Sequence, residues 1–175
     1  YNIRAKKGTA VMKLDVDDQL LGVYLSMNDE DRIFIVSSNG NYNFYELNEL
    51  SATGRLTKGV KAIKLTSEEY IRAATLVKKD IEYRGLLTIT TTGKGKITKI
   101  EDFNTTSRAV KGSQVMALKD ENLATVFAVP ISQEKIFITT NNKAVLLNVD
   151  SIPIQNRVTS GVRIIDGRGI ESEID

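Results

Sequence analysis

The stretch Gly54-Arg-Leu-Thr-Lys-Gly-Val-Lys-Ala-Ile-Lys-Leu65 decides the fold, because its skeleton recurs along the chain. Arg55 and Gly59 frame an Arg-x-x-x-Gly segment, and the same form stands at Arg4 to Gly8, Arg108 to Gly112 and Arg157 to Gly161. The intervals between the arginines are 51, 53 and 49 residues. One such segment carries no information; four at near-constant spacing mark an internal repeat of roughly fifty residues.

The flanks repeat as well. Fifteen residues before the second, third and fourth arginine stand Gly40, Gly93 and Asn142, residue types that tolerate positive φ and so mark a tight turn. A short run rich in β-branched and aromatic residues precedes each turn: Arg32 to Ser37, Gly85 to Thr90 and Lys135 to Thr139. Apolar anchors follow in register, Leu47, Ile100 and Val149 and then Leu50, Phe103 and Ile152. Beyond each arginine, Val11-Met12, Ala62-Ile63, Val115-Met116 and Ile164-Ile165 share one offset, with Leu14, Leu65 and Leu118 two residues on. A polar turn then leads into a second apolar run, Leu20 to Leu25, Ile71 to Val77 and Leu123 to Val129.

Each period thus holds about four short strands, the content of one propeller-like blade. The expected fold is all-β, a propeller-like disc of four-stranded blades, with about three to four blades in this chain. One repeat domain is expected over 1–175, with units near 4–54, 55–107 and 108–156 and a partial unit at 157–175.

Composition narrows the function. Charged residues make up 26% and hydrophobic ones 41% of the 175 residues, as in ordinary globular protein. Without cysteine or histidine there is no disulfide, no thiol nucleophile and no imidazole base, so neither a cofactor nor an enzymatic site is expected. Asp15, Asp17 and Asp18 lack the glycine and distal glutamate of a calcium loop, and no metal site is expected there. No apolar run reaches the length of a membrane span and no signal peptide is visible, so a cytoplasmic protein with no membrane partner is expected. The opening residue, Tyr1, suggests a piece of a longer chain. Net charge is only +2, so any nucleic-acid site must come from how the charges are distributed.

The blade motif has a further reading. Arg4 to Leu14 and Gly54 to Leu65, with the strand and turn Leu87 to Gly93, resemble the C-terminal DNA-binding domain of bacterial type IIA topoisomerase A subunits, those of gyrase and topoisomerase IV. WD40 blades carry Gly-His and Trp-Asp signatures, and kelch blades carry paired glycines with an aromatic signature; neither fits. The resemblance implies a β-pinwheel, a disc whose blades exchange strands, with duplex DNA bent around a basic rim. It implies double-stranded DNA as partner, along with the catalytic core of the same A subunit and the ATPase B subunit, in a bacterial, nucleoid-associated setting. One departure bears on activity. The gyrase box Gln-Arg-Arg-Gly-Gly-Lys-Gly is matched at Asn2 to Gly8 only at the arginine, the last lysine and the final glycine. A topoisomerase IV-like subunit or a divergent gyrase is therefore expected, and so is a chain with fewer blades than is common in the family.

Under this reading the candidate DNA-binding residues recur by period. They are Arg4, Lys6, Lys7 and Lys13; Arg55, Lys58, Lys61 and Lys64; Lys94 and Lys96 beside the second turn; Arg108 and Lys111; Lys143 beside the third turn; and Arg157 and Arg163. Acids fall mostly elsewhere, so a near-neutral chain can present a basic rim. Two structural alternatives stand beside this. An arginine at a fixed blade position can hold the connection between blades by bonding backbone carbonyls, and the motif glycines can serve turns rather than phosphate approach. At the level of the whole chain, the alternative is a propeller that recognises protein partners.

Overall fold

The computed structural model describes residues 8–140 and 143–165, and every extended element in it is a β-strand. The strands in chain order are β1 Arg32–Ser37, β2 Asn41–Glu46, β3 Ile71–Val77, β4 Tyr83–Thr90, β5 Lys94–Thr98, β6 Ser113–Gln114, β7 Leu123–Pro130, β8 Lys135–Thr139, β9 Ala144–Asn148 and β10 Val162–Arg163. Three antiparallel hairpins, β1–β2, β4–β5 and β8–β9, fall on the three recurring strand-and-turn segments of the sequence. The first two turn on Gly40 at φ +76° and Gly93 at φ +82°, in the left-handed region where a side chain is disfavoured. Asn142, at the third turn, lies outside the described residues.

After each hairpin the chain makes one turn of 3-10 helix, at Leu47–Glu49, Ile100–Asp102 and Val149–Ser151. The paired apolar anchors bracket these turns: the amides of Leu50, Phe103 and Ile152 donate to the carbonyls of Leu47, Ile100 and Val149 at 2.9, 3.1 and 3.0 Å.

The two complete sheets draw on several periods. The first has the order β3-β1-β2-β6 and the second β10-β5-β4-β7. In each, the hairpin is flanked on one side by a strand that follows the next arginine motif. On the other side it meets a two-residue strand that follows the motif after that. The four strands of one sequence period therefore do not form one sheet; blades exchange strands. The run Ile71 to Val77, short and β-branched, is strand β3, paired to β1. Leu20 to Leu25 occupies the same place in the repeat but is exposed and forms no strand, because no hairpin precedes it among the described residues.

Alternation along the strands puts apolar side chains on both faces, and both carry buried clusters. Phe34, Val36, Tyr42 and Phe44 of the first sheet pack with Leu86 of the second sheet, and with Phe103, Val115 and Met116. Ile33, Ile35 and Tyr45 turn the other way, onto Ile63. Leu87, Ile89 and Ile97 carry the pattern on to Val149, Ile152 and Ile165 beneath the third hairpin. The Phe34 and Tyr42 rings stack at 4.9 Å between centroids, and Phe103 meets Phe34 edge-on at 5.0 Å. Ile63, Val115, Met116 and Ile165, from the shared offset after each arginine, are all buried.

Candidate nucleic-acid interface

The arginine motifs themselves form a continuous structure. Each loop lies against the segment that follows the previous loop, held by backbone hydrogen bonds in one repeating register. Lys13 donates its amide to the Thr57 carbonyl at 3.0 Å, Lys64 to Val110 at 2.9 Å and Ala117 to Thr159 at 3.1 Å. In the reverse direction Leu56 donates to Val11 at 3.2 Å and Ala109 to Ala62 at 3.0 Å. Leu56 and Ala109 take φ of +64° and +63°, a costly conformation for residues with a Cβ. The first two junctions are thus built the same way and the third keeps the Ala117–Thr159 bond, so that side chains at matching positions fall into a row.

Exposed cations lie along that row. At the junction of the second and third motifs, Lys61, Lys64 and Lys111 are all exposed and are brought together by the Lys64–Val110 bond. At the junction before it, Lys13 stands in the place of Lys64, with Arg55 and Lys58 exposed across from it. Lys58 Nζ pairs with Asp15 at 2.5 Å, with both side chains more than half exposed. Such a surface pair is weak and screened, so a phosphate can compete for the ammonium. At the last junction the corresponding positions are Gln114, Ala117 and Ser160, and the row of lysines stops. Arg163 in β10 and Lys143 before β9 are exposed. Arg4, Lys6 and Lys7 lie outside the described residues.

Several sequence candidates serve the fold instead. Lys96 is fully buried: its ammonium donates to the Asn156 and Arg157 carbonyls at 2.6 and 2.7 Å and to Thr159 Oγ1 at 3.2 Å. Burial and the neighbouring Arg157 guanidinium push it down to about 8. It cannot reach a phosphate; it ties the fourth motif to β5. Asn43 holds the same place on β2 and donates to the Ala62 and Val110 carbonyls at 3.2 and 3.1 Å. Sequence reading missed this role, although both residues stand three positions after a turn glycine. Lys94 pairs with Glu121 at 2.9 Å, whose side chain is 1% exposed, so releasing it to a phosphate would strand a buried carboxylate.

Two of the motif arginines, Arg108 and Arg157, follow the structural alternative. Arg108 Nη1 donates to the Lys61 carbonyl at 2.8 Å and Arg157 Nη1 to the Gln114 carbonyl at 2.6 Å. Both residues are partly exposed, with the guanidinium turned onto the preceding loop. Gly112 and Gly161 also serve packing: a Cβ on Gly112 would overlap the Tyr42 carbonyl, and one on Gly161 would stand 2.9 Å from the Gly95 oxygen.

Two of the acids hold hairpin turns. Glu69, two residues before β3, accepts from Asn41 Nδ2 at 3.0 Å and from the Thr66 amide at 2.8 Å, pinning the first hairpin turn. Glu121, two residues before β7, does the same for the second turn through Lys94 and Thr92. Burial raises the Glu121 carboxyl, but the hydrogen bonds from Thr92 and Lys94 outweigh it and hold the group below the usual carboxylate range. Among the described residues no group of three His, Cys, Asp or Glu side chains is placed to hold a metal ion.

The model of the DNA gyrase C-terminal domain, beta-propeller, matches residues 3–26, 31–78, 86–130 and 136–171. The chain belongs to this gyrase C-terminal domain family. The gyrase A subunit of Ureaplasma parvum serovar 3 is 34% identical over 94% of this chain, and that of Buchnera aphidicola subsp. Baizongia pistaciae is 32% identical over 91%. The chain spans only 19% and 18% of those two subunits. Among solved structures, the C-terminal domain of a DNA topoisomerase IV superposes with a TM-score of 0.79 at 24% identity, covering 91% of this chain and 51% of that one. A DNA gyrase A C-terminal domain follows at a TM-score of 0.68 and 21% identity, covering 82% of this chain and 48% of that one. These two share the fold with the gyrase-type domain described here.

Proposed function

We propose that this chain is the non-catalytic DNA-binding and DNA-bending domain of a type IIA DNA topoisomerase A subunit. The observation that carries the reading is the row of exposed lysines, Lys13, Lys61, Lys64 and Lys111, set in one register by repeated hydrogen bonds between consecutive motifs. A row of ammonium groups along consecutive loops suits a phosphate backbone. It gives sequence-independent, salt-sensitive binding through release of counterions. Bending a site of 20–30 base pairs costs on the order of 1–6 kcal/mol, which several weak phosphate contacts together offset. Because the last junction lacks these lysines, binding is concentrated on the first three motifs.

In the full enzyme the domain acts on cytoplasmic, nucleoid DNA beside the catalytic core of its own A subunit and the ATPase B subunit. The partial gyrase box at Asn2 to Gly8 favours bending over driven supercoiling, as in a topoisomerase IV-like subunit or a divergent gyrase. The test is duplex affinity as a function of salt. The reading expects log K to fall linearly with log salt, with a slope of about −0.9 per phosphate contacted. A flat response, or no mobility shift at low salt, would replace it with a propeller that recognises protein partners.

A further inference from the structure

We propose that Arg108 and Arg157 set how sharply this domain bends DNA, as positioning residues that do not touch phosphate. The inference rests on the DNA-binding reading and adds to it a division of labour between lysine and arginine. Both guanidiniums reach back to the residue six positions after the previous motif arginine, Lys61 in one case and Gln114 in the other. Lys61 therefore has its backbone carbonyl held by Arg108 while its ammonium stands in solvent. Around the same junction Ala109 bonds Ala62, Lys64 bonds Val110, and Asn43 braces both carbonyls from the blade below. Lys96 anchors the fourth motif differently, holding only its own Asn156 and Arg157 carbonyls from β5.

A protein bends DNA only if it is the stiffer partner. A row of lysines on loose junctions would rotate blade by blade until it matched a straight duplex, keeping its phosphate contacts and losing the bend. The planar guanidinium suits a clamp, because its donors are fixed in one plane, whereas a lysine ammonium on a flexible stem is a point charge. Arg108 sits between two lysine-bearing loops, and Arg157 between a lysine-bearing loop and one without. Loss of the Arg108 clamp should therefore straighten the DNA more than loss of Arg157.

The experiment measures two quantities on one end-labelled duplex, the bend by energy transfer and the slope of log K against log salt. The proteins are the parent chain, Arg108→Lys, Arg108→Ala, Arg157→Ala and, as a phosphate-contact reference, Lys111→Ala. The reference should lose about 0.9 of slope. Both Arg108 variants should keep the parent slope and lose bend, with Arg157→Ala losing less, and exchange of the Lys64 and Ala109 amides should rise about tenfold. If Arg108→Ala instead loses a full contact of slope and Arg108→Lys restores both slope and bend, the arginine is a phosphate contact and the proposal is overturned. Should Arg108→Ala not fold, the lysine variant alone decides. If the parent chain binds no duplex, the DNA reading fails by itself. Amide exchange then still judges the clamp, and unchanged exchange in Arg108→Lys overturns it.

Discussion

The second and third arginine motifs read almost alike, yet they sit in different surroundings. Around Gly112 the loop presses onto a hairpin: β6 pairs with β2, Val115 donates to the Gly40 carbonyl at 2.8 Å, and a Cβ would overlap the Tyr42 carbonyl. Gly59 takes nearly the same φ, +77° against +79°, but a Cβ there would meet nothing within 4 Å. The motif therefore imposes its backbone shape in each period. The glycine is demanded by close packing only where a hairpin lies beneath it. A single motif thus joins local conformation to assembly, and the two contributions can be separated by mutation.

The largest separation is expected from Gly112→Ala. It combines a left-handed backbone with overlap of a neighbouring carbonyl and should cost about 2–4 kcal/mol in urea unfolding, with loss of amide protection in β2. Gly59→Ala carries only the conformational part and should cost about 1–2 kcal/mol. Equal losses at the two sites would mean that proximity contributes nothing.

Between these falls Lys96→Met, which leaves the Asn156 and Arg157 carbonyls without their buried donor and should cost about 1–3 kcal/mol. Its pH dependence has a definite sign. Below about pH 8 folded and unfolded chains both keep the proton, and the cost of burying the charge is felt in full. From there up to the ordinary 10.5 the folded chain releases the proton first, so the parent gains stability that the variant cannot. The gap between parent and variant, followed by thermal unfolding from pH 7 to 10, should widen as pH rises. A constant gap would show that Lys96 is not the group titrating. The smallest effect is expected from Asp15→Asn, which frees Lys58 from an exposed pair. Stability should change by less than about 1 kcal/mol, while duplex affinity rises slightly at low salt.

Much of the fold was legible because it is a matter of periodicity. The turn glycines, the strands before them, the apolar anchors and the buried Ile63, Val115, Met116 and Ile165 after the arginines all sit where counting puts them. Which strands pair was less legible. β6 and β10 are only two residues long, and their partners lie more than sixty residues earlier, which no local pattern encodes. Of the candidate site, the exposure of the junction lysines was legible for the same reason. Lys61, Lys64 and Lys111 share offsets and are exposed. Lys96 shares their chemistry but belongs to the position of Asn43, a core-facing place on the second strand of a hairpin. Charge type alone could not tell a lysine on the rim from one inside the blade, nor an arginine that grips carbonyls from one that grips phosphate.

The central claim is that lysines at the motif junctions, rather than basic residues in general, hold the duplex. Two triple reversals of equal charge test it directly: Lys61, Lys64 and Lys111 to Glu, against Lys78, Lys119 and Lys135 to Glu, all exposed in the parent. With duplex affinity measured across a salt series, the junction variant should lose about 2–3 units of slope in log K against log salt, and the other should stay near the parent. Equal losses in the two variants would contradict the account.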